Sequence, residues 1–298
     1  MGIFPRLDRF LKRPWNEKRH VLSWKVKQLW VRSFLSIPVV KRMESGFLFV
    51  VWNDAVREAV LSGQFENAER RFVERFLHPG MVFLDVGAYY GLYALSASSR
   101  VGSSGRVIAF EPSPFQMKRL KWNLLLNRYK NVQVENIALG NCEGEGEFFV
   151  ATGGSEGFSG LRSPQVGAPV RSIRVKLTTL DSYLQRHSLR SVDFIKVDVE
   201  GGELDFFRGA QNLLRQPIRP LILCELQDVR AEAWGHKAKD TAAFVESFGF
   251  RWFRPLPNGS LASSPDSPDK YEGNFVAVPE ERVAQVEEII RDGSRGVA

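Results

Sequence analysis

Residues 83–98 read FLDVGAYYGLYALSAS. An apolar run ends at Asp85, a turn carries Gly87 and Gly91, and a helical pattern follows. This is a strand, a turn and a helix, the unit from which a parallel sheet is built. Glycines in such a turn let the backbone approach a ligand that a Cβ would repel. The helix start offers free N–H groups and the positive end of a dipole. Asp85 places a carboxylate at the carboxyl end of the strand, where open α/β sheets bind ligands. The spacing is G-x-x-x-G, whereas a pyrophosphate favours G-x-G-x-x-G.

The next strand narrows the ligand. Glu111 ends VIAFEP, 20 residues after Gly91, the placement from which a carboxylate takes both hydroxyls of a ribose. Pro112 stops that strand by removing a ladder donor and is counted with Glu111 in the cofactor-binding set. The third strand runs into ENIALG, whose small Ala138 lets an adenine ring lie against the chain. Ala88 and Tyr89 fill the turn between the glycines and join the cofactor set. An acid without a phosphate cradle suits a ligand bearing an ammonium and a sulfonium, and S-adenosylmethionine (SAM) is such a ligand. A capped tight turn and a dinucleotide site are the alternatives at this point.

Outward from this core, β-rich runs alternate with helical patterns. Strands are expected over 81–86, 106–110, 131–135, 192–197 and 221–225, and helices over 92–98, 114–127, 179–187, from 198 through 214, and 241–248. Residues 250–254 and 274–278 are expected to close the sheet as an antiparallel pair, with a last helix over 280–290. The Gly- and Ser-rich stretch 140–169 reads as a long loop with a β run at 146–150, followed by an extended run over 171–177. Its part 153–169, GGSEGFSGLRSPQVGAP, is expected as a lid or as an insertion without a fold of its own.

Five segments in order resemble the FkbM-type SAM-dependent methyltransferases: GMVFLDVGAYYGLY, RVIAFEPSP with Asn123 following, NVQVENIALG, TLDSYL and FIKVDVEGGE. The resemblance covers about residues 65–255. It implies the α/β fold of class I methyltransferases, Rossmann-like, with a seven-stranded, mostly parallel sheet. It also implies methyl transfer to a hydroxyl, of a sugar in a glycan or of a secondary metabolite. By motif, Asp85, Gly87 and Gly91 hold the methionine end of SAM and Glu111 the ribose. Tyr89 departs from the pattern, since many members carry Asn there.

Three further carboxylates stand at strand ends. IKVDVEGGE places Asp198 and Glu200 on one side by period-two alternation, and Glu225 ends LILCE. One carboxylate of this catalytic set is expected to take the hydroxyl proton, its pKa raised by burial and like-charge neighbours, and Asp198 is the favoured functional member. Mg²⁺ held by two carboxylates is the less favoured alternative, and no metal ligand is assigned. Glu203 reads also as a helix cap, and His78 and His236 fall outside the motifs.

Composition agrees with a globular chain: 44% hydrophobic and 25% charged over 298 residues. Cys142 and Cys224 stand alone, which argues against a disulfide scaffold or a zinc finger and for a reducing, cytoplasmic location. The +7 net charge is unevenly spread. Residues 1–42 hold eleven Lys and Arg against Asp8 and Glu17, a net of +9, which leaves −2 for the rest. Residues 1–45 are therefore expected as a basic arm and 46–298 as the methyltransferase domain. A helix over 18–34, with Trp24 and Trp30 on its apolar face, either packs on the body or makes a peripheral membrane or protein contact. No apolar run approaches the ~20 residues that span a bilayer. An RNA 2′-O or other nucleic-acid methyltransferase is the nearest rival, disfavoured by the near-neutral body and the lack of an Asn/Asp-Pro-Pro-aromatic loop. An NAD-binding oxidoreductase and a non-catalytic scaffold are the others.

Overall fold

The computed structural model describes residues 37–164, 166–263 and 271–294. The basic helix expected over 18–34 lies outside the described residues. A hairpin of β1 (Val39–Arg42) and β2 (Leu48–Val51) leads into α1 (Arg57–Ser62) and α2 (Asn67–Phe76). The alternating unit follows: β3 (Val82–Val86), α3 (Leu92–Val101), β4 (Arg106–Phe110), α4 (Pro114–Asn127) and β5 (Val132–Glu135). Then come β6 (Ala138–Leu139), β7 (Gly144–Ala151), β8 (Val170–Thr178) and α5 (Leu180–Arg186). The second half holds β9 (Phe194–Val197), α6 (Glu203–Arg208), α7 (Gln211–Leu214), β10 (Leu221–Gln227), α8 (Asp228–Ala231) and α9 (Ala238–Glu246). It ends with β11 (Phe250–Pro255), β12 (Leu261–Ser263), β13 (Glu272–Pro279) and α10 (Val283–Ser294).

The main sheet has the order β12-β11-β13-β10-β9-β3-β4-β5. The strands from β10 to β5 are parallel, and β13 runs antiparallel to both β10 and β11. Counted in chain order without β12, the seven expected strands stand 3-2-1-4-5-7-6, with the C-terminal antiparallel pair in place. This is the class I methyltransferase arrangement. Among the described residues the short β12 adds an eighth strand at the free edge of β11.

The central strands β3 and β9 are apolar but for Asp85 and Lys196, because helices cover both faces. Alternate residues divide cleanly between two cores. Phe83, Val107, Phe194 and Leu223 pack on one face, and Leu84, Ile108, Ile195 and Cys224 on the other. Phe83 stacks on Phe194 with centroids 5.5 Å apart, which locks β3 to β9.

Two expectations for local structure change. Stretch 140–169 is not one long loop: β7 pairs with β8 from Gly144↔Leu177 to Ala151↔Val170, with β6 on the far side of β8. The expected run at 146–150 was half of a hairpin, and its partner lay too far along the chain for turn chemistry to reveal it. The helix expected through residue 214 breaks into α6 and α7 at Gly209, where a Cβ would overlap the Gly140 carbonyl oxygen. Residues 280–282 form a 3₁₀ turn before α10.

Candidate active site

The parallel register lines up the carboxyl ends of four strands. Asp85 stands opposite Ala109 on one side and Lys196 on the other. Glu111 follows β4, Asp198 follows β9, and Glu225 lies in β10 beyond its pairing with β9. Side chains of Asp85, Lys196, Asp198 and Glu225 all fall on the same face by period-two alternation. They line a cavity of about 610 Å³. Its walls include Phe49 and Val56 from the N-terminal segment, and Phe148, Phe158 and Leu161 from the β7–β8 hairpin. The Ala55 N–H donates to the Gly154 carbonyl at 2.8 Å and ties these two walls together.

The turn after β3 explains its own glycines. Gly87 has φ +80° and Gly91 φ +90°, the left-handed region that glycine enters without strain. A Cβ at Gly87 would overlap the Asp198 carbonyl oxygen, and one at Gly91 would overlap the Leu120 side chain. The glycines thus let β3 and α3 pack against the chain itself, and both still border the cavity. Tyr89 has φ +52°, a conformation in which Asn is common and Tyr is not. It is held there at both ends. Its N–H donates to Glu111 Oε2 at 2.8 Å, and its hydroxyl donates to Asp54 Oδ2 at 3.2 Å. The Tyr90 hydroxyl reaches the other Asp54 oxygen at 3.4 Å.

Glu111 is buried and accepts two backbone N–H groups, from Tyr89 and from Ser113, the latter at 2.8 Å. Burial pushes its pKa up to about 8, and those two N–H groups only partly offset it. Each oxygen keeps one lone-pair direction for a further donor. Asp85 is 1% exposed, and neither of its oxygens has a hydrogen bond of ordinary geometry. Burial raises its pKa to about 6 against the pull of Lys196 and the nearby Ala94 N–H. A buried carboxylate without a donor is costly, and a cationic ligand group would satisfy it. Ala88, Pro112 and Ala138 are buried and border the same cavity. The residues present therefore fit a ligand with an ammonium at Asp85 and a diol at Glu111.

Asp198, Glu200 and Glu225 converge, with one oxygen of each within 4.8 Å of the others. The Lys196 ammonium bonds Asp198 Oδ2 at 2.7 Å, and Arg230 Nε pairs with Glu200 Oε2 at 3.1 Å. Gln227 donates to Glu225 at 2.8 Å. Burial, then the charge of Asp198, raises the pKa of both Glu200 and Glu225. Three oxygen donors suit a hard divalent cation, yet Lys196 and Arg230 already bring two positive charges to this cluster. Glu203 caps its own turn, accepting from the Val199 and Gly201 N–H groups at 3.0 and 3.2 Å. Gly201 and Gly202 let the segment carrying Arg230 and Trp234 close on that turn, since a Cβ at either would overlap it. Neither His78 nor His236 borders the cavity.

Sequence reasoning missed Lys196, Asp54 and Arg230. Lys196 carried a signal, a lone charge inside the apolar strand FIKV, which an unpaired lysine would not tolerate. Asp54 and Arg230 carried none, because long-range packing alone brings them in.

Residues 85–252 match the methyltransferase FkbM domain. The AMB antimetabolite synthetase AmbE of Pseudomonas aeruginosa is 28% identical over 209 residues, covering 58% of this chain but only 10% of that protein. Among solved structures, an O-methyltransferase from Bacillus cereus in complex with SAH has 14% identity and a TM-score of 0.40, covering 74% of this chain and 81% of its own. A SAM-dependent O-methyltransferase from Thermotoga maritima has 13% identity and a TM-score of 0.41, covering 81% and 77%. With the FkbM match spanning more than half of its residues and starting at the orphaned Asp85 itself, the chain belongs to the FkbM methyltransferase family.

Proposed function

We propose that this protein is a SAM-dependent O-methyltransferase acting on a hydroxyl of a small acceptor, a sugar in a glycan or a secondary metabolite. The observation that carries this reading is the meeting of three carboxylates beside the Asp85–Glu111 cradle in one cavity. The acceptor class follows from the family resemblance alone. We place the enzyme in the cytoplasm, with residues 1–45 as a basic arm before the methyltransferase domain, 46–298.

When bound, SAM supplies a methyl group on a cationic sulfur. Asp85 would receive its ammonium, and Glu111 its ribose hydroxyls. The hydroxyl proton of the acceptor passes to the cluster at Asp198. Burial and the neighbouring charge of Asp198 raise the pKa values of Glu200 and Glu225 beside it. Lys196 fixes the Asp198 carboxylate, so the base is oriented before the acceptor arrives. Mg²⁺ held by these carboxylates is the less favoured alternative, because Lys196 and Arg230 already pair with Asp198 and Glu200.

The reading is tested by calorimetric titration with S-adenosylhomocysteine, beside NAD. Micromolar binding is expected, weakened by ~1–3 kcal/mol in Glu111→Ala because ribose hydroxyls lose their acceptor. Tight NAD binding with none of S-adenosylhomocysteine would replace the methyltransferase with an oxidoreductase.

A pH effect follows from the same residue. Donation by ribose hydroxyls favours the ionised carboxylate, so binding lowers the Glu111 pKa from about 8. Near neutral pH the free protein holds a proton there that the complex does not. Binding should release protons, seen as a dependence of the measured enthalpy on the ionisation heat of the buffer. Release should vanish about two units above that pKa, where the free carboxylate is already ionised, and in Glu111→Gln.

A further inference from the structure

The cavity leaves α4 only half explained. Its inner face is fixed to the body. Asn123 donates to the Tyr90 carbonyl at 2.9 Å and accepts from the Val50 N–H at 2.8 Å, while Asn127 accepts from the Leu48 N–H at 2.7 Å. Gln116, Leu120 and Leu124 complete that buried stripe. The outer face is apolar where a solvated helix would be polar. Phe115 is 46% exposed, Trp122 58%, Leu125 72% and Leu126 39%. The spacings 115, 122 and 126, and 122 and 125, put these side chains along one side of the helix.

The charge around them has one sign. Lys118 and Lys121 are exposed on the same helix, one turn before Trp122 and Leu125, and Arg128 and Lys130 are exposed just beyond its end. From Pro112 to Val134 the chain has no acidic residue. Ile37, just before β1, and Val40 within it are each 55% exposed, and β1 pairs with β2, the strand to which α4 is bonded. The chain enters β1 from residues whose net charge, over 1–42, is +9. A helix of ~14 residues with Trp, Phe and Leu between lysines matches the boundary between lipid headgroups and acyl chains. A solvent-facing protein surface offers no comparable return for exposing Trp122 and Leu125.

We propose that the outer face of α4 docks peripherally on an anionic lipid surface. The helix lies flat, with Phe115, Trp122 and Leu125 entering the headgroup boundary and the lysines meeting lipid phosphates. No helix among the described residues is long and apolar enough to cross a membrane, so this contact is parallel to the bilayer. The basic segment 1–42 adds long-range attraction to the same surface, which salt screens within about 10 Å.

The test is flotation of the full chain with vesicles of phosphatidylcholine and phosphatidylglycerol, beside phosphatidylcholine alone. The expected result is flotation with the mixed vesicles only, reduced by roughly tenfold in the double variant Trp122→Glu, Leu125→Glu. Its thermal unfolding midpoint should match that of the parent, since both side chains face solvent. If that variant does not fold, Lys118→Glu with Lys121→Glu reads the same face and should also stay behind. Three outcomes overturn the proposal: no flotation of the parent, equal flotation of the variants, or a dimer in light scattering that the double variant converts to monomer. The second would assign the binding to residues 1–42 alone, and the third would assign the face to a second copy of the chain.

Discussion

Asp198→Asn should lower kcat by ~10²–10⁴ while leaving S-adenosylhomocysteine affinity within about threefold. The asparagine keeps the shape of the side chain and still accepts from the Lys196 ammonium that now bonds Asp198 at 2.7 Å. What it loses is the ability to take a proton. Removing the base removes an interaction made only as the acceptor hydroxyl reacts, so the loss should fall on kcat rather than on cofactor binding. The measurement is transfer of labelled methyl from SAM into a polar small-molecule extract, with cofactor affinity checked by calorimetry. Activity equal to that of the parent would remove Asp198 from the catalytic role. Glu225→Gln then becomes the next variant, because Glu225 belongs to the same cluster.

Lys196→Met should destabilise the fold by ~3–5 kcal/mol, the usual cost of breaking a buried ion pair from one side. Burial pulls the Lys196 pKa down, but Asp198, Glu66 (just before α2, on the cavity wall) and Asp85 together outweigh it and hold the ammonium above its ordinary value. A raised lysine contributes stability below its unfolded pKa of about 10.5 and loses it only as pH rises beyond. In the neutral range that contribution is therefore complete in the parent. In the variant the acids are left facing one another. Asp85 and Glu66 already titrate near pH 6 with the lysine present, and without it their pKa values rise further. Groups with raised pKa cost stability as pH rises through that range. The deficit should therefore be small near pH 5, where those acids are protonated, and largest near pH 8. Thermal melts across that interval read this slope directly. A pH-independent loss would point to packing of the lysine stem instead.

Much of this site was legible in the chain itself. Asp85, Glu111, Asp198 and Glu225 each end an apolar run, and such a run closed by an acid marks a strand end. The Gly-Gly turn after Glu200 and the Pro after Glu111 were equally local. The β7–β8 hairpin was harder. Even the innermost pair, Ala151 with Val170, is separated by a long Gly- and Ser-rich stretch, so no short hairpin turn announces the pairing. Tyr89 was read as a departure in the cofactor turn, but its reason lies in Asp54, far upstream and on a different wall.

The sequence by itself determined the order of the strands along the chain, which residue stands at each carboxyl end, and the family. Those properties reside in neighbours a few positions apart, where hydrophobic period and turn chemistry act. Only the tertiary structure decided that β9 lies between β3 and β10, and so that Lys196 stands between Asp85 and the carboxylate cluster. It also decided that Phe115, Trp122 and Leu125 of α4 face outward beside its lysines, while Asn123 and Asn127 turn inward and bond β2. Those properties are set by which distant surfaces exclude water from one another, and the periodicity of a single segment does not say which of its faces has found a partner.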